Sequence, residues 1–191
     1  MKRLRIEHAT GFEYPGDVTA SYNEARMLPG TTESQFGLSA TLDIEPAASG
    51  SPYVDYFGTK VTPFDLLSPH SELRLVARSL VEVRPRPFEH SDISWERLAV
   101  EASRTIETVE QLAQTTRTQP HPEVAEIARS IASRHENPGA AAHDIAMAIG
   151  DAVQYVQGVT GVHSTAHESW EARKGVCQDM AHITIGALRS V

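Results

Sequence analysis

Apolar and polar positions alternate along the first 86 residues. The alternating positions form three stretches: Leu4, Ile6, His8, Thr10 and Phe12, then Leu38, Ala40, Leu42 and Ile44, and last Leu73, Leu75, Ala77, Val81 and Val83. A period of two is typical of strands that bury one face. Several such strands without a helix between them predict an antiparallel β-sandwich-like domain over residues 1–86.

Turn-forming residues separate the predicted strands. Tyr14-Pro15-Gly16-Asp17 predicts a turn after the first strand. Gly58-Thr59 predicts a hairpin between two further apolar stretches. Pro85 and Pro87 then disfavour both helix and central strand, so residues 87–94 are predicted to link two domains.

From Trp95 onward the apolar period becomes helical. Three buried stripes are predicted: Trp95, Leu98, Ala102, Ile106, Val109 and Leu112, then Val124, Ile127, Ala128, Ile131 and Ala132, then Ala142, Ile145, Ala146, Ile149, Val153 and Val156. Asn137-Pro138 predicts the start of the third helix and Gly158 its end. Residues 95–191 therefore predict a helical domain, and the whole chain an α+β fold.

The only cysteine, Cys177, precedes a fourth helical pattern. Lys174 and Gly175 predict a turn before it, and Ser169 predicts the start of a short helical turn further upstream. A sulfur at a helix start meets free N–H groups and the positive end of the helix dipole, and both favour thiolate. A lone cysteine is more often a small buried hydrophobe, but this position favours a nucleophile.

The sequence Gly175-Val176-Cys177-Gln178-Asp179-Met180-Ala181-His182 resembles the cysteine motif of bacterial transglutaminase-like proteins. That superfamily includes cysteine peptidases with a papain-like Cys-His-Asp triad. Residues 155–160 and 165–166 resemble the family's approach to its cysteine, and residues 26–29 and 55–58 its β-rich N-terminal region. The resemblance implies that residues 95–191 form the helical N-terminal part of a transglutaminase-like catalytic domain.

The family's histidine and aspartate follow the cysteine on later strands, several tens of residues on. Here only 14 residues follow Cys177. We therefore expect a chain truncated just after the catalytic-cysteine helix, with both partners absent and no activity of its own. Two hypotheses follow for the full-length protein: a cysteine hydrolase or acyltransferase acting on peptide or amide bonds, or a non-catalytic binding or scaffold module with a degenerate transglutaminase-like fold.

Residues near the motif are weaker candidates. His182 lies about 140° around a helix from Cys177, so we expect a structural, hydrogen-bonded histidine rather than a general base. Tyr155 is a candidate oxyanion donor and Trp170 a weaker one, whereas the amide N–H of Cys177 is better placed than either. Asp179 lies in the first helical turn, where we expect it to act as a cap.

His163 and His167, with Glu168 beside them, superficially suggest a metal site. A four-residue spacing presents two ligands on one face only within a helix, and nearby glycines predict a loop. We therefore predict neither a metal nor a cofactor.

Composition and charge limit the classes of molecule that the chain is expected to bind and the setting in which it is expected to act. The net charge is −8, with −2 on residues 1–86 and −6 on residues 87–191, which argues against nucleic-acid binding. No apolar run approaches the ~20 residues that span a bilayer. One cysteine cannot form an internal disulfide, which suits the cytoplasm.

The expected partner is a peptide or protein amide substrate. A truncated chain should also leave apolar residues uncovered near its C-terminus, and such patches usually find a partner. We therefore expect a homo-oligomer formed through this region. The residues concerned are Met180, Ile183, Ile185, Leu188 and Val191.

Overall fold

The computed structural model describes residues 1–85 and 93–191. Two compact units divide the chain, Met1–Phe88 and Glu89–Val191. Most of the predicted linker, residues 87–92, lies outside the described residues, so the boundary at residues 87–94 stays a prediction.

The described part of the first unit consists of strands. They are β1 (Lys2–Val18), β2 (Ser21–Ala25), β3 (Gln35–Glu45), β4 (Tyr53–Val54), β5 (Lys60–Leu66) and β6 (His70–Val83). Two three-stranded antiparallel sheets result, with strand orders β1-β6-β3 and β2-β5-β4. A buried cluster draws on both sheets: Ala25, Phe64, Leu66, Leu73 and Leu75.

Charged residues cover the opposite face of the larger sheet. Arg78 of β6 bonds Glu7 of β1 at 2.7 Å and also bonds Asp43 of β3. Arg3 and Glu82 pair across β1 and β6 at 3.3 Å. One face is therefore apolar and the other charged, as the alternation predicts.

The turns of this unit are only partly as predicted. The hairpin at Gly58 is confirmed, since Gly58 has φ +78° and the amide of Asp55 donates to the carbonyl of Thr59 at 3.0 Å. The turn predicted at residues 14–17 is wrong, because β1 continues to Val18 with a register shift after Glu13. Pairing with the long strand β6 overrides the local preference of Pro15-Gly16 for a turn. Strand β2 was not predicted.

Helices dominate the second unit. They are α1 (Trp95–Ala102), α2 (Ile106–Leu112), α3 (Pro122–Ala132), α4 (Pro138–Ala152), α5 (Ala166–Ala172) and α6 (Cys177–Leu188), with the short strands β7 (Gln154–Tyr155) and β8 (Lys174–Gly175). The core comprises Val124, Ala128, Ile131, Ile145, Ile149, Val153, Ala166, Trp170, Ile183 and Ala187. The α+β class is thus confirmed.

Helix boundaries differ from the predictions in two places. The first predicted helix is two helices, because Thr105 caps α2 by accepting from the amide of Thr108 at 3.3 Å. The start of α4 is confirmed, since Asn137 Oδ1 accepts from the amide of Gly139 at 2.7 Å. Gly158 does not end α4, which stops at Ala152, although its φ of +77° shows a left-handed turn in the next loop.

Among the described residues, no helix combines the length and the apolar character needed to cross a lipid bilayer.

Candidate functional site

Cys177 is the first residue of α6, and its free thiol is exposed. The left-handed backbone of Arg173, with φ 52°, ends α5 and separates it from α6. Lys174 and Gly175 then form β8, which pairs in parallel with β7. The predicted position at a helix start is confirmed, but the predicted turn at residues 174–175 is instead a short strand.

Asp179 is the third residue of α6 and is only 1% exposed. Its Oδ2 accepts from the amide of Val176 at 2.8 Å and from the hydroxyl of Thr160 at 2.6 Å. Its Oδ1 accepts from the hydroxyl of Ser169 at 3.0 Å. The expected capping role is confirmed at the Val176 amide, and the same carboxylate also joins the loop before α5, α5 itself and α6.

The environment keeps Asp179 ionised. Burial alone would raise its pKa, but the hydrogen bonds from Thr160, the Val176 amide and Ser169, with the charge of His182, lower the pKa below its ordinary value. A buried carboxylate thus serves as a fixed acceptor for three donors.

Gly175 is required by this arrangement. A Cβ at position 175 would lie 2.6 Å from Cβ and 2.8 Å from Oδ2 of Asp179. The strand that leads to Cys177 therefore approaches the buried carboxylate as closely as only glycine allows. Gly175 therefore serves internal packing against Asp179.

The amide N–H groups of Cys177 and Gln178 have no acceptor among the described residues. The amide of Val176, in contrast, is bound by Asp179. The side chain of Gln178 reaches the carbonyl of Gly161 at 3.4 Å. Two free donors beside an exposed sulfur can stabilise negative charge on the sulfur or on an oxygen bound next to it.

His182 differs from the expectation of a hydrogen-bonded residue. Its Nδ1 is buried and has no hydrogen-bond partner among the described residues. A positive charge on His182 lowers the pKa of Asp179.

The two aromatic candidates lie in different environments. Tyr155 is 55% exposed in β7, and its neighbour in the pairing with β8 is Gly175. Trp170 is 1% exposed, and its Nε1 donates to Glu123 at 2.9 Å. The hypothesis of Trp170 as an oxyanion donor is therefore wrong, because a carboxylate already accepts its N–H.

The prediction that Ser169 starts a short helical turn is wrong. Thr165, not Ser169, caps α5, and it forms a reciprocal capping box with Glu168. Ser169 lies inside α5 and donates to Asp179. A Thr-x-x-Glu sequence signals such a box and could have been read from the chain.

The predicted loop holds only one of the two histidines weighed as metal ligands. His163 lies in the loop before α5, where its Nδ1 accepts from Arg117 at 2.8 Å. His167 lies within α5, and Glu168 is occupied by the cap of that helix. Sequence reasoning missed Thr160 and Ser169 as site residues, because their bonds to Asp179 span 19 and 10 positions.

The sequence is similar to a known family model and to proteins of two mycobacteria. A family model described as the bacterial transglutaminase-like N-terminal region matches residues 4–82. An uncharacterized protein of Mycobacterium leprae is 36% identical over the whole chain, which covers 68% of that protein. One from Mycobacterium tuberculosis is 29% identical over 98% of the chain, which covers 62% of it.

The fold also matches a solved structure. The crystal structure described as a putative cysteine protease from Cytophaga hutchinsonii superposes with a TM-score of 0.75 at 17% identity. The match covers 98% of this chain and 63% of that one. The chain thus spans roughly two thirds of the length of these proteins. By the family model that matches residues 4–82, it belongs to the bacterial transglutaminase-like proteins.

Proposed function

We propose that Cys177 is the nucleophile of a cysteine hydrolase or acyltransferase that acts on peptide or amide bonds. The observation that carries the proposal is an exposed sulfur at the first position of α6, next to two amide N–H groups for which the described part of the chain supplies no acceptor. The fold shared with the Cytophaga hutchinsonii protein, described as a putative cysteine protease, is in line with this chemistry.

The reaction requires two further groups. The sulfur attacks the amide carbonyl, the free amides of Cys177 and Gln178 bind the resulting oxyanion, and a histidine transfers the thiol proton to the leaving amine. Water or a second amine then releases the acyl group from the thioester. We propose that the histidine and an orienting aspartate lie outside these 191 residues, as the family resemblance implies.

Within the described chain, His182 does not fit the role of this base. It follows Cys177 by five positions on one helix, and the two side chains project in directions about 140° apart. We propose that the 191 residues alone show no catalytic turnover, because the histidine that protonates the leaving amine is not among them. A single reduced thiol is also compatible with a cytoplasmic setting.

The test uses the longest natural protein that contains these residues. Peptide hydrolysis and transfer of a fluorescent amine to glutamine peptides are measured for that protein, its Cys177→Ala variant and the 191-residue chain. Loss of the nucleophile should lower turnover by at least about 10³-fold. The 191-residue chain should show none.

A His143→Ala variant of the longest protein is the matched control, since the exposed His143 of α4 pairs with Asp144 of the same helix. It should retain activity. Turnover that survives Cys177→Ala refutes the nucleophile. No turnover in any form, with a Cys177 no more reactive than a free thiol, favours the non-catalytic scaffold instead.

A further inference from the structure

Two histidines and one glutamate meet on the surface of the second unit. One ligand atom from each of His121, His167 and Glu171 lies within 4.8 Å of the other two. His121 immediately precedes α3, whereas His167 and Glu171 are four residues apart on one face of α5. Two segments separated by 46 positions thus contribute to one cluster.

The geometry is close to that of a zinc site. Zn²⁺ takes imidazole nitrogen at ~2.0–2.1 Å and carboxylate oxygen at ~2.0–2.2 Å, so two tetrahedral ligand atoms lie about 3.4 Å apart. His167 Nε2 and Glu171 Oε1 are already 3.5 Å apart. The ring centroids of His121 and His167 stand 4.7 Å apart, and the ligand atom of His121 lies within 4.8 Å of the other two.

The side chains are accessible without any opening of the fold. His167 is 46% and Glu171 61% exposed. Two imidazoles and one carboxylate are a donor set that suits zinc, with water at the fourth position. An ordinary surface ion pair between His167 and Glu171 would not require a third residue, His121, from the start of α3.

The cluster lies beside contacts that already join α3 to α5. Glu123, two residues after His121, accepts from Trp170 Nε1 at 2.9 Å and from Arg173 at 2.7 Å. The neighbouring residue Ser169 of α5 bonds Asp179 beneath Cys177. An ion bound by the cluster would therefore hold α5, the helix whose Ser169 bonds Asp179 at the start of α6.

We propose that His121, His167 and Glu171 bind one Zn²⁺ that holds α5 against the start of α3. The coordinating nitrogens must be unprotonated, so binding releases any protons that they carry and weakens toward acid pH. In the metal-free chain His121 Nδ1 accepts from the amide of Glu123 at 3.2 Å. Coordination through His121 Nε2 moves the ring proton to Nδ1 and gives up that bond.

Isothermal titration with zinc chloride tests the proposal, in a Cys177→Ser background that removes the thiol as a ligand. We expect one ion per chain at neutral pH. His167→Ala and Glu171→Gln should each weaken binding by at least ~10-fold, since even indirect partners of metal ligands cost that much. His163→Ala, which removes an exposed histidine outside the cluster, should leave binding unchanged.

His135→Ala provides a second control, because His135 and Asp144 form another pair at 2.9 Å that could attract zinc. Zinc should also raise the melting temperature of the parent chain but not that of Glu171→Gln. The proposal is overturned by absence of binding, by binding that His167→Ala leaves intact, or by binding that His135→Ala removes. Stoichiometric binding without a rise in melting temperature would overturn the fastening of α5.

Discussion

Replacing Gly175 by alanine should destabilise the second unit strongly. The new Cβ would lie 2.6 Å from Cβ, 2.8 Å from Oδ2 and 3.0 Å from Cγ of Asp179. Carbon atoms in contact normally stand ~3.5–4.0 Å apart, so the methyl group is about 1 Å too close. Gly175 does not have a positive φ, so the cost arises from space and not from backbone conformation.

Asp179 cannot withdraw freely to make room. Its carboxylate is held by Val176, Thr160 and Ser169, and moving it leaves buried donors without an acceptor. Overpacking a core costs ~1–3 kcal/mol. An orphaned buried donor costs another ~1–3 kcal/mol. We therefore expect Gly175→Ala to lower the free energy of unfolding by about 2–6 kcal/mol.

Gly150→Ala is the matched control. Gly150 lies inside α4, and a Cβ there would meet no atom within 4 Å. Alanine in a helix interior should stabilise by ~0.5–1 kcal/mol. Urea unfolding followed by helical circular dichroism measures both variants. If Gly175→Ala unfolds like the wild type while Gly150→Ala behaves as expected, the close approach to Asp179 is wrong.

Three further predictions concern the same unit. Asp179→Asn should cost ~1–3 kcal/mol and Asp179→Ala more, because asparagine keeps one acceptor oxygen. The pKa of Asp179 in the folded chain lies below its ordinary 3.8. The contribution of this carboxylate to the free energy of unfolding is therefore complete above pH 3.8 and is lost as the pH falls through the folded pKa. Acid unfolding of Asp179→Asn should lack this loss. Thr165→Ala should cost ~1 kcal/mol by removing the α5 cap, measured by urea unfolding, whereas an unchanged midpoint would contradict the capping box. Of the residues expected to be uncovered, Ile183 is instead buried in the core, because α6 packs that side against the other helices. Leu188 and Val191, which are 37% and 43% exposed, should drive self-association that Leu188→Glu removes, and a wild-type monomer in light scattering would refute this.

Periodicity predicted most of the fold because burial enforces it locally. The strands at residues 38–44 and 73–83 and the helices α3 and α4 follow apolar stripes that their own sequences display. The failures arise where a second signal competes. Pro15-Gly16 favours a turn, yet pairing with β6 carries β1 past it.

The first helical stripe failed for a different reason. One apolar period runs from Trp95 to Leu112, but the cap at Thr105 interrupts the backbone without interrupting the period. α1 has no buried residue, and Val109 remains 52% exposed. Caps in such a weakly buried stretch decide the boundary more strongly than the stripe does.

Only those features of the candidate site that depend on neighbouring residues in the sequence could be predicted. Cys177 at a helix start and Asp179 as a cap follow from their neighbours in sequence. Thr160 and Ser169 reach Asp179, and His121 reaches His167, through packing that brings distant segments together. Spacing rules do not detect such partners, because they describe residues on one element.

The acylation rate of Cys177 tests the proposed nucleophile most directly. p-Nitrophenyl acetate is an activated acyl donor that needs no knowledge of the natural substrate, and mass spectrometry locates the acetyl group. In the longest natural protein, a histidine base should accelerate acylation of Cys177 by ~10²-fold or more over the 191-residue chain. Equal rates in the two forms, or acetylation of lysines with Cys177 unmodified, would contradict the proposal.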